Sequence, residues 1–567
     1  MLPLLPSAAL AAALTVVSAA GAEPDDVKVW AAIAYISHGE RTPAMSDLQA
    51  VLTPEGAQQM WRQGAAFRTR YLTRTGNGTD MAPIQDIAVN AIDNSQLTVL
   101  SRTNEWVAAG AMAFMQGLYP PDEEALLVAA GGEDLSHDYT IGANSTDYPM
   151  KGYQYPSIRT VSNQDSSSVG LQGDVGCSAW QNEIQTNVEK NESVREKNQD
   201  LYQALFSTAP LEGLVPLARA TYANALDIYD LVSYMHAHNG TVFRGLANAG
   251  ATVDTLRTLA FASERDKIAR NDTKAGDPRA VLYSIAGRTL ANQVVGQLTR
   301  TVAAVDGRGK LTLLFGSHRP LLSFLSIGGL LTRENLASGP MSRLPGPGAA
   351  IVFELVSDSG SGEAFPAASD LRVRFYYRAT AGANETFAAY SLFGSGFGGT
   401  TIPYTSFVRG MTERATTATE WCRVCHVGAA APWCVAKSSA KPRLSPVLGG
   451  VIGAVLTAAL IGLVAVVCVT LRRRRAGRSD GAGARQSWYG FRGPQRRAAD
   501  ADVSTSKAGV REARTGSWEM RQGGRGDAPH SDTVGMISRD FDGASRRVED
   551  EDSVSLTGAP VKARESV

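Results

Sequence analysis

Val27-Lys28-Val29-Trp30-Ala31-Ala32-Ile33-Ala34-Tyr35-Ile36 runs directly into Ser37-His38-Gly39-Glu40-Arg41-Thr42-Pro43. The first ten residues are almost continuously apolar, as a strand buried on both faces should be, and the glycine and proline that follow mark a loop. A histidine delivered to a strand end stands where α/β folds hold their ligands. Working outward, Thr53-Pro54-Glu55 opens a helical pattern whose apolar face is Met60, Trp61, Ala65 and Phe67. Asp86 to Ala91 reads as a second strand, and Glu105 to Gln116 as a helix closed by Gly117-Leu118-Tyr119-Pro120-Pro121. A further strand, Leu311 to Gly316, delivers Ser317-His318-Arg319-Pro320 to another loop, and Arg372 to Tyr377 with Thr386 to Leu392 alternates as a hairpin. Between about 122 and 295 the patterns are mainly helical, including Ala218 to Tyr234 and the start of a segment from Ala280 to Val302. That arrangement predicts a mainly parallel α/β core, about 27–121 and 296–435, capped by an insertion.

The 567-residue chain has zero formal net charge, which gives no reason to expect nucleic acid. Residues 1–22 carry an apolar stretch, Leu2 to Val17, and end in Ala20-Gly21-Ala22 before an acidic run; they read as a signal peptide without its usual basic start. Val447 to Leu471 exceeds the roughly 20 apolar residues that cross a bilayer, and Arg472-Arg473-Arg474-Arg475 follows as a stop-transfer cluster. The expected topology is single-pass type I, at the cell surface or on a secretory-pathway membrane. Residues 23–440 are then the ectodomain, and 472–567, poor in apolar residues, a disordered cytoplasmic tail whose partners the sequence does not name. Six sequons, at Asn77, Asn144, Asn191, Asn239, Asn271 and Asn384, all precede the span. Cys177, Cys422, Cys425 and Cys434 lie in the exported part, where an oxidising compartment favours two disulfides, in one of three pairings, over a metal site. Cys468 lies within the span. Gly394 to Gly399 fits G-x-G-x-x-G without the strand and helix a dinucleotide needs, and His236 and His238 abut a sequon, so neither points to a cofactor or metal.

The loop at 37–43 resembles the R-H-G-x-R-x-P loop of histidine acid phosphatases, phytase-like members included, without its first arginine. Leu52 to Gly56, Gly117 to Pro121, Ile228-Tyr229-Asp230-Leu231, the His318 loop, Phe407 to Met411 and Trp421-Cys422 extend the resemblance over about 27–435. It implies a three-layer phosphoglycerate-mutase-like core with a mainly helical cap, and a phosphohistidine mechanism that splits one difficult displacement into two steps. His38 matches the nucleophile and Arg41 a phosphate clamp. Ser37 stands where the first arginine is expected, and a hydroxyl cannot replace a bidentate cation. The second-strand arginine aligns with Leu100, with Arg102 close by. His318 matches the phosphate-binding histidine, but Arg319 occupies the place of the proton donor and stays charged at any working pH. The resemblance with these substitutions implies a catalytically impaired homologue that binds or senses a phosphorylated or anionic ligand through His38, Arg41, His318 and Arg319. The rival reading is a working acid phosphatase or phytase with a rearranged site. Arg102 and Glu40 separate the two, since either side chain in the His38 pocket favours the enzyme.

Overall fold

In β1 (Val27–Ser37) every residue from Val29 on is buried, because the strand has a helical layer on each face. The computed structural model describes residues 27–434 except 47–48, 74–80, 130, 134, 137–139, 141–145, 191, 271–277, 305–307, 359–363, 395–398 and 426–430, and Val469 beyond them. Successive side chains of β1 alternate between two cores, as the two-residue period of a strand requires. Ala32, Ala34 and Ile36 join one cluster with Met60, Phe67 and Phe114 of α1 (Pro54–Tyr71) and α2 (Glu105–Leu118). Ile33 and Tyr35 join the other, with residues of three helices described below.

The sheet order is β3-β2-β4-β1-β5-β6-β7, with β8 also on β6. β2 (Leu97–Arg102), β3 (Ile158–Val161), β4 (Leu311–Gly316) and β1 pair in parallel; β5 (Ala350–Asp358), β6 (Arg372–Arg378), β7 (Ala388–Ala389) and β8 (Thr401–Pro403) extend the sheet antiparallel. The sheet is therefore mixed rather than mainly parallel. Parallel neighbours need crossovers, and here helices supply them between β1, β2 and β4, whereas β5 and β6 follow one another in sequence and pair antiparallel.

The helices continue with α3 (Glu123–Ala129), the single turn α4 (Pro149–Gly152), α5 (Ser178–Lys190), α6 (Glu192–Ser207), α7 (Ala225–His238), α8 (Gly240–Gly245) and α9 (Ala249–Ile268). Then come α10 (Ile285–Ala303), α11 (His318–Ile327), α12 (Arg333–Ala337), α13 (Tyr404–Arg414) and α14 (Ala418–Val424). Leu290 and Val294 of α10, Phe324 of α11 and Phe407 of α13 pack under β1, so α10 belongs wholly to the core layer rather than partly to an insertion. β3 likewise lies inside the 122–295 interval yet is a strand of the main sheet. What stands apart is α6 to α9, which enclose their own cluster of Tyr202, Phe206, Ile228, Val232 and Leu256.

Residues 86–91 form no strand. Side-chain amides take the backbone groups a ladder would have used: Gln96 accepts from Ala88 N and donates to Asp86 O, and Gln154 donates to Asn90 O. Disulfides join Cys177 to Cys425 and Cys422 to Cys434. Of the sequons, Asn384 is exposed between β6 and β7, and Asn239 caps α8; Asn77, Asn144, Asn191 and Asn271 lie outside the described residues, as do the segments 1–22, 447–471 apart from Val469, and 472–567. No helix among the described residues is long and apolar enough to cross a membrane.

Candidate active site

The loop after β1 is seated on the start of α1. Thr53, the N-cap of α1, accepts from Gly56 N, and its own N–H donates to Glu40 O. Gly39 and Gly56 meet backbone to backbone so closely that a Cβ on either would overlap the other segment. That approach fixes where His38 stands. His38 Nδ1 is 2.7 Å from Gly39 O; Nδ1–H is the donor in that bond, which leaves the lone pair on Nε2. Burial lowers the imidazole pKa to about 4, and Arg41 and His318 add to the fall against the Gly39 bond. His38 is thus a neutral base over most of the acid range.

His38 opens onto a cavity of about 480 Å³, shared with Ser37, Glu40, Arg41, Arg102, His318 and Arg319. Register explains why Arg102, and not Leu100, reaches it. Leu314 of β4 pairs with both Tyr35 and Leu100, whereas Ser37 pairs two residues on, with Gly316. Leu100 is therefore level with Tyr35 inside the core, and Arg102, on the same face one repeat later, is level with Ser37 at the sheet's edge. Arg102 is 4% exposed and donates from Nη2 to Asn163 Oδ1 at 2.5 Å, while its Nε and Nη1 have no acceptor among the described residues. Burial lowers its pKa against the pull of Tyr35 and Asp174.

Arg319 is placed differently. Its Nε lies 2.7 Å from Glu264 Oε2 and its Nη1 3.3 Å from Asp174 Oδ2, both carboxylates fully buried. Burial favours the neutral form of Glu264, but the charges of Arg319 and Lys267 and the nearby His318 prevail and hold its pKa well below the usual range. Arg319 is committed to these anions, so it is a wall of the cavity rather than a spare phosphate clamp. His318 Nε2 lies 3.5 Å from the same Glu264.

Arg41 reaches the cavity over the face of Trp106, 5.6 Å from its centroid, and Nη2 approaches Asp230 Oδ2 at 3.2 Å. Glu40 is tied off: Oε1 accepts from Thr53 Oγ1 at 2.8 Å and lies 2.7 Å from His238 Nε2. Asp230, which Arg41 approaches, and His238, which Glu40 approaches, both belong to α7. Asp227, Asp230 and Tyr234 line the cavity, and with His238 they recur at three and four residues on one face, opposite the buried Ile228, Leu231 and Val232. From the sequence Asp230 and His238 are named separately without being joined into this stripe, and Asp227, Tyr234, Trp106 and Asn163 are passed over as site residues.

The family model described as histidine phosphatase superfamily (branch 2) matches residues 40–378, more than half of the chain. The chain belongs to that superfamily. Among solved structures, the chain is similar to the Hafnia alvei phytase in its apo form, at 12% identity and a TM-score of 0.45 over 70% of this chain and 99% of that one. The Klebsiella sp. ASR1 phytase follows at 13% and 0.44, over 70% and 96%. The Bifidobacterium longum multiple inositol polyphosphate phosphatase, in complex with inositol hexasulfate, stands at 12% and 0.41, over 70% and 95%. No curated protein matches this chain. Among the described residues no group of histidine, cysteine and carboxylate side chains is arranged to hold a metal.

Proposed function

We propose that this histidine phosphatase binds phosphomonoesters in the His38 cavity and transfers the phosphoryl group to His38 Nε2, more slowly than a superfamily member with a complete site. The observation that carries this reading is Arg102. A buried guanidinium with two unpaired donors is costly, and a phosphoryl oxygen beside His38 supplies the acceptors it lacks. Arg41 supplies a second cation across the cavity, and the neutral His38 supplies the nucleophile. The chemistry follows as positioning and charge neutralisation around a phosphoryl group already rich in oxygen.

Two departures limit the rate. Ser37 brings no charge to the loop, and Arg319 cannot donate a proton to the leaving oxygen. The cavity held in check by these losses also fits a receptor that binds a phosphorylated or other anionic ligand without turnover, a reading favoured by the commitment of Arg319 to Glu264 and Asp174. The anchoring belongs to the same proposal: a signal peptide at 1–22, a span at 447–471, glycans on the six sequons, and a tail at 472–567 on the cytoplasmic side.

The test uses the full-length protein in detergent with phosphorus-labelled 4-nitrophenyl phosphate and a denaturing alkaline quench. Label on wild type that is absent from His38→Ala supports phosphoryl transfer. Phosphate binding that depends on Arg102, without label, supports the receptor; neither result overturns both. Protease protection of the tail in sealed vesicles tests the topology.

A further inference from the structure

The missing proton donor has a replacement outside the loop where the superfamily resemblance places it. The geometry points to Asp230 of α7 as the group that protonates the leaving oxygen of the phosphomonoester and then deprotonates the attacking water. The inference rests on phosphoryl transfer to His38.

Each other carboxylate near the cavity has an assignment except Asp227. Glu40 is held by Thr53 and His238, and Glu264 and Asp174 are salt-bridged to Arg319. Asp230 lines the cavity, and its buried Oδ2 approaches Arg41 without a hydrogen bond to any described residue. Arg41 is carried by the same loop as His38, so a carboxyl touching Arg41 lies beside whatever Arg41 binds. In-line displacement sends the leaving oxygen away from His38, and α7 lines the same cavity while touching the loop at Arg41 and Glu40. Asp227 also lines the cavity, one turn earlier, whereas the ion pair of Arg41 is with Asp230.

Charge makes the assignment self-consistent. In the free protein Arg41 is the ion-pair partner of Asp230. A phosphoryl dianion that engages Arg41 withdraws this partner and adds a negative neighbour, and both changes favour the protonated carboxyl. The groups facing Asp230 are Arg41 and Glu40 from the loop, Asp227 from its own helix and His318 from the start of α11; burial raises its pKa, and the two carboxylates raise it further, against Arg41 and His318. In the first step the bond from His38 Nε2 to phosphorus forms, the bond from phosphorus to the ester oxygen breaks, and the Asp230 proton goes to that oxygen. In the second, water attacks phosphorus, its proton passes to the Asp230 carboxylate, and the bond from nitrogen to phosphorus breaks. Atoms and charges balance over the cycle.

The experiment compares full-length wild type with Asp230→Asn and Asp227→Asn on two probes: glycerol 2-phosphate, whose alkoxide leaving group needs a proton, and 4-nitrophenyl phosphate, whose phenolate does not. Asp230→Asn is expected to lose about 10²- to 10⁴-fold in kcat on glycerol 2-phosphate, to lose far less on the nitrophenyl ester, and to bind inorganic phosphate at least as tightly as wild type. Retained phosphate binding shows that the variant is folded. Equal losses on the two esters, or a leaving-group-dependent loss in Asp227→Asn instead, overturns the assignment to Asp230 alone. No turnover of either ester by wild type overturns phosphoryl transfer as well.

Discussion

Arg102→Ala should remove function while leaving the fold as stable as before or more so. Among the described residues the guanidinium makes one hydrogen bond, to Asn163, and leaves Nε and Nη1 buried without acceptors. A hydrogen bond to a charged group is worth about 1.5–3 kcal/mol, and each unsatisfied buried donor costs about 1–3 kcal/mol. One bond lost against two penalties relieved puts the net change near zero or on the stabilising side. With a phosphoryl group bound the sign reverses, because both donors gain charged acceptors. Losing a preorganised donor of this kind costs about 2.7–4 kcal/mol, or about 10²- to 10³-fold. The assay is paired: thermal unfolding of the full-length protein without ligand, and kcat/KM for 4-nitrophenyl phosphate with inorganic phosphate as competitor. Arg102→Lys should recover part of the affinity, since it restores charge without the planar fork. A variant with unchanged phosphate affinity and a lowered melting temperature would refute the reasoning, for Arg102 would then be a structural residue and its exposure to the cavity incidental.

Arg319→Ala should do the opposite and destabilise by about 3–5 kcal/mol, because it strips the counter-ion from two buried carboxylates; urea unfolding measures it, and a loss below 1 kcal/mol contradicts the pairing. Glu354→Ala should be as severe: Glu354 accepts from Arg70 at 2.8 Å, Arg374 at 2.8 Å and Tyr71 at 2.9 Å in the core. The two arginines overcome the effect of burial and hold the Glu354 carboxyl low. Its stabilisation is therefore complete above the pKa it has when unfolded and disappears as the pH falls through its lower folded value, so acid unfolding of wild type should lose a component that Glu354→Gln lacks. Activity should rise through about pH 4 as His38 loses its proton, and the acidic limb of a kcat/KM profile reports it; a limb unmoved by changes that alter the His38 environment, such as Arg41→Ala, would assign it elsewhere.

The parts of the fold that show in the sequence are those in which one period dominates. β1, α1, α2 and β4 are apolar at the spacing their class demands, and Thr53-Pro54-Glu55 signals the cap of α1 in three residues. Residues 86–91 mislead because Ile87 and Val89 alternate like a strand, while Gln96 and Gln154, distant in sequence, take the backbone partners. The mixed order of the sheet escapes notice because β5, an apolar run broken by Glu354, shows its direction only when paired with β1. At the site, His38 and Arg41 announce themselves through the loop. Arg102 does not, since choosing between positions 100 and 102 requires the register against β4. The commitment of Arg319 depends on Glu264 and Asp174, two carboxylates that fold onto it from elsewhere in the chain, and no local spacing foretells it.

The two disulfides also settle how the chain carries mechanical load. Tension applied beyond Cys434 passes through sulfur to Cys422, then along α14 to Cys425, and through sulfur again to Cys177 at the start of α5. The strands of the sheet are not in that path. A pull on the C-terminal part of the chain thus has a covalent route, beside the backbone itself, to the segment that contains Asp174 and holds Arg319 in the cavity wall.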